Sequence, residues 1–128
     1  MTQMTFLPKT PADMVSEYAE VSQQEGTEEL YQRLIHEEYA ELQDETSNGV
    51  LALEEYSPEN ELKEMADLIY VLYGYARVKG YNLDKAVERI HENNMGRMYQ
   101  PDGTILRRDD GKVMKNKDFP KVNLGDLV

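Results

Sequence analysis

The sequence of 128 residues contains no cysteine, no tryptophan and only two histidines. Without cysteine the chain can form neither a disulfide framework nor a thiolate metal site, so a metal ion would need carboxylate, amide or imidazole ligands. His36 and His91 are too few for most zinc sites. A di-iron carboxylate bundle needs two Glu-x-x-His motifs, and only Glu88 with His91 supplies one. These absences leave oxygen ligands as the main candidates for metal binding.

Long hydrophobic runs are also missing, since the apolar stretches are as short as LIYVLYGYA at residues 68–76. The N-terminal segment lacks the basic region, long apolar stretch and cleavage site of a signal peptide. We therefore expect a cytoplasmic protein with no membrane partner. The length suits a single domain over residues 1–128.

Basic residues are scarce and unevenly placed. The net charge of -11 argues against binding a nucleic acid polymer, whose phosphates would be repelled. Residues 1–96 carry 20 acidic and 7 basic side chains, whereas residues 97–128 carry 5 and 7. An acidic body with a mildly basic tail can hold a small anion beside metal ions, although a solvated tail explains the charge equally well.

The apolar pattern and the capping signals predict an all-α protein, a four-helix bundle with a short C-terminal β-hairpin arm. Thr27, Ser57 before Pro58, and Asn82 are the N-terminal caps of the second, third and fourth helices. The segments TILR and KVMK, separated by RDDG, predict the hairpin. The helical core covers about residues 12–98 and the arm about 99–128. The predicted helices span residues 12–24, 27–46, 58–79 and 83–98.

Two helices carry carboxylates on faces that should be buried. At about 100° per residue, Glu38 and Glu41 fall inside the apolar arc of the second helix. Glu64 and Asp67 flank the apolar line of the third helix with the same spacing of three. If the two helices are antiparallel neighbours, the four carboxylates meet at one point. Several buried carboxylates need a counter-charge.

No cation of the helices supplies that counter-charge, because Lys63 and Arg77 are predicted to lie on another side of the third helix. The missing charge is then a metal ion. Carboxylate ligands suit Mg²⁺, with Mn²⁺ as a possible substitute, and Mg²⁺ usually combines a few carboxylates with waters and phosphate oxygens.

Polar residues near the C-terminus are candidates for substrate binding. Asn94 lies on the apolar stripe of the fourth helix and Arg97 follows one turn later, so Asn94 can orient a ligand while Arg97 contacts a phosphate oxygen. A core asparagine is the simpler interpretation of Asn94 alone. Lys112 and Lys115 alternate with apolar residues in DGKVMK and are predicted to contact the phosphates when the arm closes.

The order ExxE, a gap of 22 residues, ExxD, then Asn and a basic residue resembles the MazG-like, all-alpha nucleoside triphosphate pyrophosphohydrolases. The words LIHEEYAEL, ELKEMADLIYVLYGYA, HENNMGRM and DGKVMK are similar to short, often phage-encoded members of this superfamily. The resemblance covers roughly residues 13–122. It implies Mg²⁺ ligation by four carboxylates, with the asparagine and the basic residue near the phosphates. The residues concerned are Glu38, Glu41, Glu64, Asp67, Asn94 and Arg97, the last of which replaces the lysine usual in the family.

The chemistry fits this resemblance. Carboxylate-bound Mg²⁺ can neutralise a triphosphate and lower the pKa of a bound water, which attacks the α-phosphorus. Either Glu38 or Glu41 is the general base. The predicted reaction converts a nucleoside or deoxynucleoside triphosphate, for example dGTP, to the monophosphate and pyrophosphate.

Two non-enzymatic alternatives compete with this prediction. A calcium-binding module is one, because DETSNGVLALEE nearly matches the EF-hand spacing. A non-catalytic adaptor bundle that presents its acidic stripes to a partner is the other. The residues that would occupy EF-hand positions 1, 3, 5, 6 and 12 are Asp44, Thr46, Asn48, Gly49 and Glu55.

The third helix is apolar on nearly every side from Met65 to Ala76. A single layer of four helices cannot cover all of this apolar surface. We therefore predict a homodimer or homotetramer in which the second and third helices pack on their counterparts. The basic arm or Arg97 of one chain would then lie near the carboxylates of another.

Overall fold

A computed structural model describes residues 9–24 and 26–128, so residues 1–8 and Glu25 of the predicted domain lie outside the described residues. Over the described residues the chain is all-α, with four helices and a small antiparallel hairpin, as the sequence predicts. No helix among these residues has the length and apolar character needed to cross a bilayer. The elements are α1 (Pro11–Ser22), α2 (Glu28–Val50), α3 (Pro58–Lys79), α4 (Leu83–Arg97), β1 (Leu106–Arg107), β2 (Val113–Met114) and a 3₁₀ turn (Gly125–Leu127).

The predicted helix starts are confirmed at three caps. The Thr27 hydroxyl accepts from the Leu30 backbone, and the Ser57 and Asn82 side chains accept from the amide three residues on. Each bond satisfies an amide that has no partner inside the helix. The starts of α2, α3 and α4 therefore follow from local chemistry.

The end of α2 differs from the prediction. The helix continues through Asn48 and Gly49 to Val50, because Gly49 permits close packing there and does not terminate the helix. A methyl group on Gly49 would lie 2.7 Å from Cε1 of Tyr56. Since residues 44–50 are helical, their oxygen ligands cannot form the loop of an EF-hand, and the calcium-binding alternative is wrong.

The chain divides into two compact units, and the first ends at Tyr81. In this unit α3 packs against both α1 and α2. Tyr31 of α2 is 6% exposed, with its ring between Gly26 and Gly74, where any added methyl group would overlap it. Two glycines therefore fix one aromatic side chain in the core. The buried apolar residues are Val15, Ala19, Tyr31, Tyr73 and Ala76.

The second unit, Asn82–Val128, combines α4 with the hairpin and the C-terminal residues. The hairpin pairs Leu106 with Met114 and Arg107 with Val113, inside the two segments predicted for it. The chain after the hairpin is not a loose tail, because it returns to α4. The Asn82 amide donates to the Leu127 carbonyl, and Arg89 forms two hydrogen bonds with Asp126.

Candidate active site

Three carboxylates from two helices converge inside the first unit. Glu38 and Glu41 lie one turn apart on α2, and Glu64 reaches them from α3. One oxygen of each side chain lies within 4.8 Å of the others. The spacing of three on α2 and the packing of α2 on α3 together produce this cluster, which we call the carboxylate triad (Glu38, Glu41 and Glu64).

The triad is short of hydrogen-bond donors. Glu64 is 5% exposed, Glu38 is half-buried and Glu41 is exposed. Among the described residues, Oε2 of Glu38 and Oε2 of Glu64 are buried atoms without a hydrogen-bond partner. A buried carboxylate oxygen normally accepts a hydrogen bond, so these two atoms need a proton or a cation.

The crowding raises two pKa values. The Glu41 carboxylate, which can share a hydrogen bond with Glu64 only if one of them is protonated, raises the pKa of Glu64 most, and burial adds to the effect. Burial raises the pKa of Glu38 most, opposed by its contact with Glu41 and reinforced by Asp67 and Glu64. Like charges and burial both disfavour the ionised forms, which a cation would restore.

Asp67 lies outside the triad and contacts Lys63. Lys63 Nζ donates to Asp67 Oδ2 at 2.7 Å and lies 3.5 Å from Glu64 Oε1. This contact raises the pKa of Lys63. The prediction that Lys63 lies away from the carboxylates is wrong, because residues four apart are neighbours on one helix face and the ammonium group reaches Asp67. The Lys63–Asp67 spacing was the available signal.

A second inward glutamate of α2 has a different environment. Glu45 is 9% exposed, and its carboxylate accepts from the Ser57 amide at 3.3 Å and from Asn60 Nδ2 at 2.7 Å. Both donors belong to the start of α3, where amides lack helical partners and the helix dipole favours a negative charge. Glu45 therefore stabilises the start of α3 and is not part of the triad.

A cleft of about 180 Å³ adjoins the triad inside the first unit. Glu38 and Asp67 form its acidic side, and three tyrosine side chains line much of the remainder. The rings of Tyr18 and Tyr70 meet edge to face, with centroids 5.9 Å apart. The cleft offers flat aromatic surface next to carboxylates. Its lining residues are Val15, Tyr18, Gln24, Tyr31, Leu34, Glu38, Asp67, Tyr70 and Val71.

The residues predicted to bind phosphate belong to the second unit. Asn94, Lys112 and Lys115 line one groove of about 300 Å³, together with Met95, Met98 and Val113. Arg97 is not among the lining residues. Its Nη1 donates a long hydrogen bond to Asn93 Oδ1 at 3.5 Å, and its buried Nε has no partner among the described residues. Three of the four predicted phosphate contacts are therefore close to one another.

Comparison with known families matches residues 4–94 to phosphoribosyl-ATP pyrophosphohydrolase. The chain belongs to this family. The family is part of the MazG-like all-alpha pyrophosphohydrolase superfamily, which confirms the resemblance to that superfamily, whereas the likeness to short, phage-type members stays a prediction. A search of curated proteins finds no similar sequence. The match includes all four predicted metal ligands and Asn94, and it ends before Arg97, Lys112 and Lys115.

Membership of the phosphoribosyl-ATP pyrophosphohydrolase family makes the chain a hydrolase of phosphoric anhydrides with a nucleotide substrate. It therefore favours an enzyme over the adaptor alternative. The family is typically metal-dependent. The triad fits a divalent cation, because its donors are all oxygen and two of the buried oxygens have no partner within the described ranges.

Sequence reasoning missed two features of this site. The first is the ion pair of Lys63 with Asp67, four residues apart on the same helix face. The second is the tyrosine-lined cleft, for which Tyr18 and Tyr70 gave no signal because they lie on different helices, 52 positions apart in the chain. Only the packing of α1 on α3 brings these two rings together.

Proposed function

We propose that the protein is a Mg²⁺-dependent pyrophosphohydrolase, with Mn²⁺ as an alternative cation, that converts nucleoside or deoxynucleoside triphosphates to monophosphates and pyrophosphate. The observation that carries this proposal is the carboxylate triad, with unpartnered buried oxygens on Glu38 and Glu64. Membership of a pyrophosphohydrolase family supports the reaction class. Among bases, dGTP is the substrate we would test first.

In this proposal the triad and Asp67 bind the cation, and one of the triad glutamates also transfers a proton. Glu38, Glu41, Glu64 and Asp67 hold the cation, which when bound neutralises phosphate charge and polarises the attacked phosphorus. Either Glu38 or Glu41 accepts the proton of the attacking water. The water oxygen bonds to the α-phosphorus as the bond to the bridging oxygen breaks, and pyrophosphate leaves.

The cleft beside Glu38 and Asp67 is the proposed place for the nucleoside. Tyr18, Tyr31 and Tyr70 line it, and a nucleobase can pack against aromatic rings by offset or edge contacts. This places the base next to the carboxylates, so the phosphate chain extends toward the cation. The edge-to-face contact of Tyr18 with Tyr70 supports a preformed surface.

Asn94, Arg97, Lys112 and Lys115 are proposed to contact the phosphates of the substrate. The shared groove of Asn94, Lys112 and Lys115 supports this assignment. Changing both lysines to methionine should raise KM with little effect on kcat, because a ground-state phosphate contact is lost. An unchanged KM would remove the lysines from the substrate site.

A second candidate substrate is phosphoribosyl-ATP, the compound in the name of the matched family. The match over residues 4–94 is the observation that favours it. Its triphosphate would present the same α-phosphorus to the carboxylate triad. The two candidates therefore undergo the same reaction, and phosphoribosyl-ATP differs by the phosphoribosyl group that it carries.

The test is an assay of the purified protein with each of the eight common triphosphates and with phosphoribosyl-ATP, in the presence of Mg²⁺ or of a chelator. Pyrophosphate release that requires the cation is expected. Release of orthophosphate alone, or no turnover of any substrate, would refute the proposal. The ranking of kcat/KM values then selects between triphosphates and phosphoribosyl-ATP.

We also propose that the protein assembles as a homodimer or homotetramer. Leu62, Met65, Ile69 and Leu72 follow one face of α3 and are 40% to 66% exposed. Such an apolar face is typical of an interface between subunits. Light scattering at micromolar concentration should give at least twice the monomer mass, and a monomeric mass with full activity would reject the proposal.

A further inference from the structure

A lysine lies among the carboxylates to which we assign the metal ion. Lys63 Nζ lies 2.7 Å from Asp67 Oδ2 and 3.5 Å from Glu64 Oε1. Glu64 is a member of the carboxylate triad, whereas Asp67 is not. The ammonium group therefore connects the triad to the one predicted ligand that stands outside it.

We infer that Lys63 is an internal counter-cation that competes with the divalent metal ion by holding Asp67, and that it thereby sets the metal affinity of the site. This inference rests on the metal site of the proposed function. Within the described residues, no other lysine or arginine forms an ion pair with Glu38, Glu41, Glu64 or Asp67. A carboxylate that accepts a 2.7 Å hydrogen bond from an ammonium group shares its charge with that donor, so it attracts a metal ion less strongly than a free carboxylate does.

The Lys63–Asp67 pair is built so that it can open. The Lys63 side chain is 63% exposed and the Asp67 side chain 38% exposed, so water can solvate both groups after they separate. An exposed ion pair contributes little net free energy, whereas a doubly charged cation attracts a carboxylate more strongly than an ammonium group at the same distance. Metal binding can therefore release Asp67 from Lys63.

Metal binding also requires the Lys63 ammonium group to move away from Glu64. Glu64 is nearly buried and cannot move far from the triad, so the ammonium group near its Oε1 occupies space close to the proposed cation. Asp67 holds the ammonium group in that space, where it would repel a second cation, so this repulsion also depends on Asp67. Lys63 has a flexible stem of four carbons and a single exposed head, so it is the group that moves.

The test measures binding of Mn²⁺ alone, without nucleotide, by the loss of the free-ion signal in electron paramagnetic resonance. Lys63→Met should lower the Kd for Mn²⁺ about two- to fivefold, the range expected for loss of an exposed ion pair. Lys63→Arg, which keeps the charge, should remain near the wild type. Lys85→Met is the matched control, because Lys85 also has a carboxylate partner on its own helix, Glu88, in the other unit.

A double-mutant cycle separates this inference from a general effect of charge. If Lys63 acts by holding Asp67, then Lys63→Met should change the Kd by less than about twofold in an Asp67→Asn background. An equal effect in both backgrounds would overturn the inference, because the lysine would then act through Glu64 or through the net charge. Thermal melts of each variant identify any loss of folding.

The remaining outcomes distinguish the inference from the proposal beneath it. If the wild type binds Mn²⁺ and Lys63→Met binds it equally or more weakly, the inference fails and the metal site stands. If the wild type binds no Mn²⁺, both fail. Tighter binding by Lys63→Met only when Asp67 is present supports both.

Discussion

Two carboxylate environments lie along α2 and α3, one formed by Glu45 alone and the other by the carboxylate triad, and they differ in the hydrogen-bond donors available to them. Glu45 is buried, and its oxygens accept from the Ser57 amide and from Asn60 Nδ2. Glu38 and Glu64 each have a buried oxygen without a partner among the described residues. The first arrangement is complete within the protein, and the second requires a proton or a cation.

The difference teaches that an inward-facing carboxylate is not in itself the sign of a site. Glu45 accepts hydrogen bonds at the start of α3, where unpaired amides and the helix dipole stabilise a negative charge. The α3 member of the carboxylate triad, Glu64, lies beyond the first turn of α3, where the backbone amides are already used inside the helix. Position along the opposing helix therefore decides whether a glutamate is structural or available to a ligand.

The largest expected effect is the loss of enzymatic activity when a proposed metal ligand is removed. Glu41→Ala or Asp67→Ala should reduce pyrophosphate release by about 10²-fold or more, the range for loss of a group that takes part in proton transfer or its support. Without metal, the folded state of Glu41→Ala should be unchanged or more stable, because a like charge beside Glu38 and Glu64 is removed. Asp67→Ala should be nearly unchanged in stability, because the ion pair that it loses with Lys63 is exposed. Pyrophosphate assays and thermal melts measure the two quantities.

Glu45→Ala is the control for that experiment, and it should retain kcat at temperatures where it is folded. Wild-type turnover by Glu41→Ala or Asp67→Ala would contradict the assignment of the metal ligands. Loss of activity in folded Glu45→Ala would contradict the distinction between the two environments.

The second prediction concerns the contribution of Glu45 to the free energy of unfolding. Glu45→Ala should lower the free energy of unfolding by about 1–3 kcal/mol, because the Ser57 amide and Asn60 Nδ2 lose their acceptor while partly buried. Urea unfolding followed by circular dichroism gives this value. Glu45→Gln keeps one acceptor oxygen and should lose less. Equal losses in the two variants would show that the carboxylate charge, and not the side-chain volume that glutamine retains, is the cause.

The smallest predicted effect is a dependence on pH. The pKa values of Glu38 and Glu64 are raised in the folded state, so their favourable contribution is complete below the ordinary value of 4.5 and is lost as the pH rises through the raised values. The metal-free protein should therefore melt at a progressively lower temperature as the pH increases above 4.5.

The matched variant is Glu38→Gln with Glu64→Gln, which removes both ionisations and should flatten that part of the profile. Added Mg²⁺ should raise the melting temperature of the wild type at neutral pH and leave the double variant unaffected. A double variant with the same slope as the wild type would place the titrating groups elsewhere.

Much of the fold could be predicted from local signals, whereas the site could be predicted only in part. Thr27, Ser57 and Asn82 identified helix starts because a cap depends on a few adjacent residues. The end of α2 was misplaced because Gly49 serves a tertiary contact with Tyr56. Helical spacing predicted that Glu38, Glu41 and Glu64 share a face with their partner helix, and the triad follows from it.

The rest of the site depends on side-chain partners. The spacing of four between Lys63 and Asp67 is visible in the sequence, but it does not say whether the long lysine side chain pairs there or extends into solvent. The angular projection could not separate Glu45 from Glu38 either, because the donors of Glu45 lie 12 and 15 positions later in the chain. A sequence pattern predicts the helix face on which a side chain lies, but it does not predict the residues that the side chain contacts.

The position of Tyr31 between Gly26 and Gly74 has a consequence for the substitutions that this chain can accept. A side chain larger than hydrogen at residue 74 overlaps the tyrosine ring, and the same holds at residue 26, so the three positions share one fixed volume. A library randomised at residues 31 and 74 together should recover compensating pairs, such as alanine opposite leucine, that are absent from libraries randomised at either position alone. Because Tyr31 also lines the cleft beside Glu38, these pairs would change the cleft's width and leave its acidic side intact.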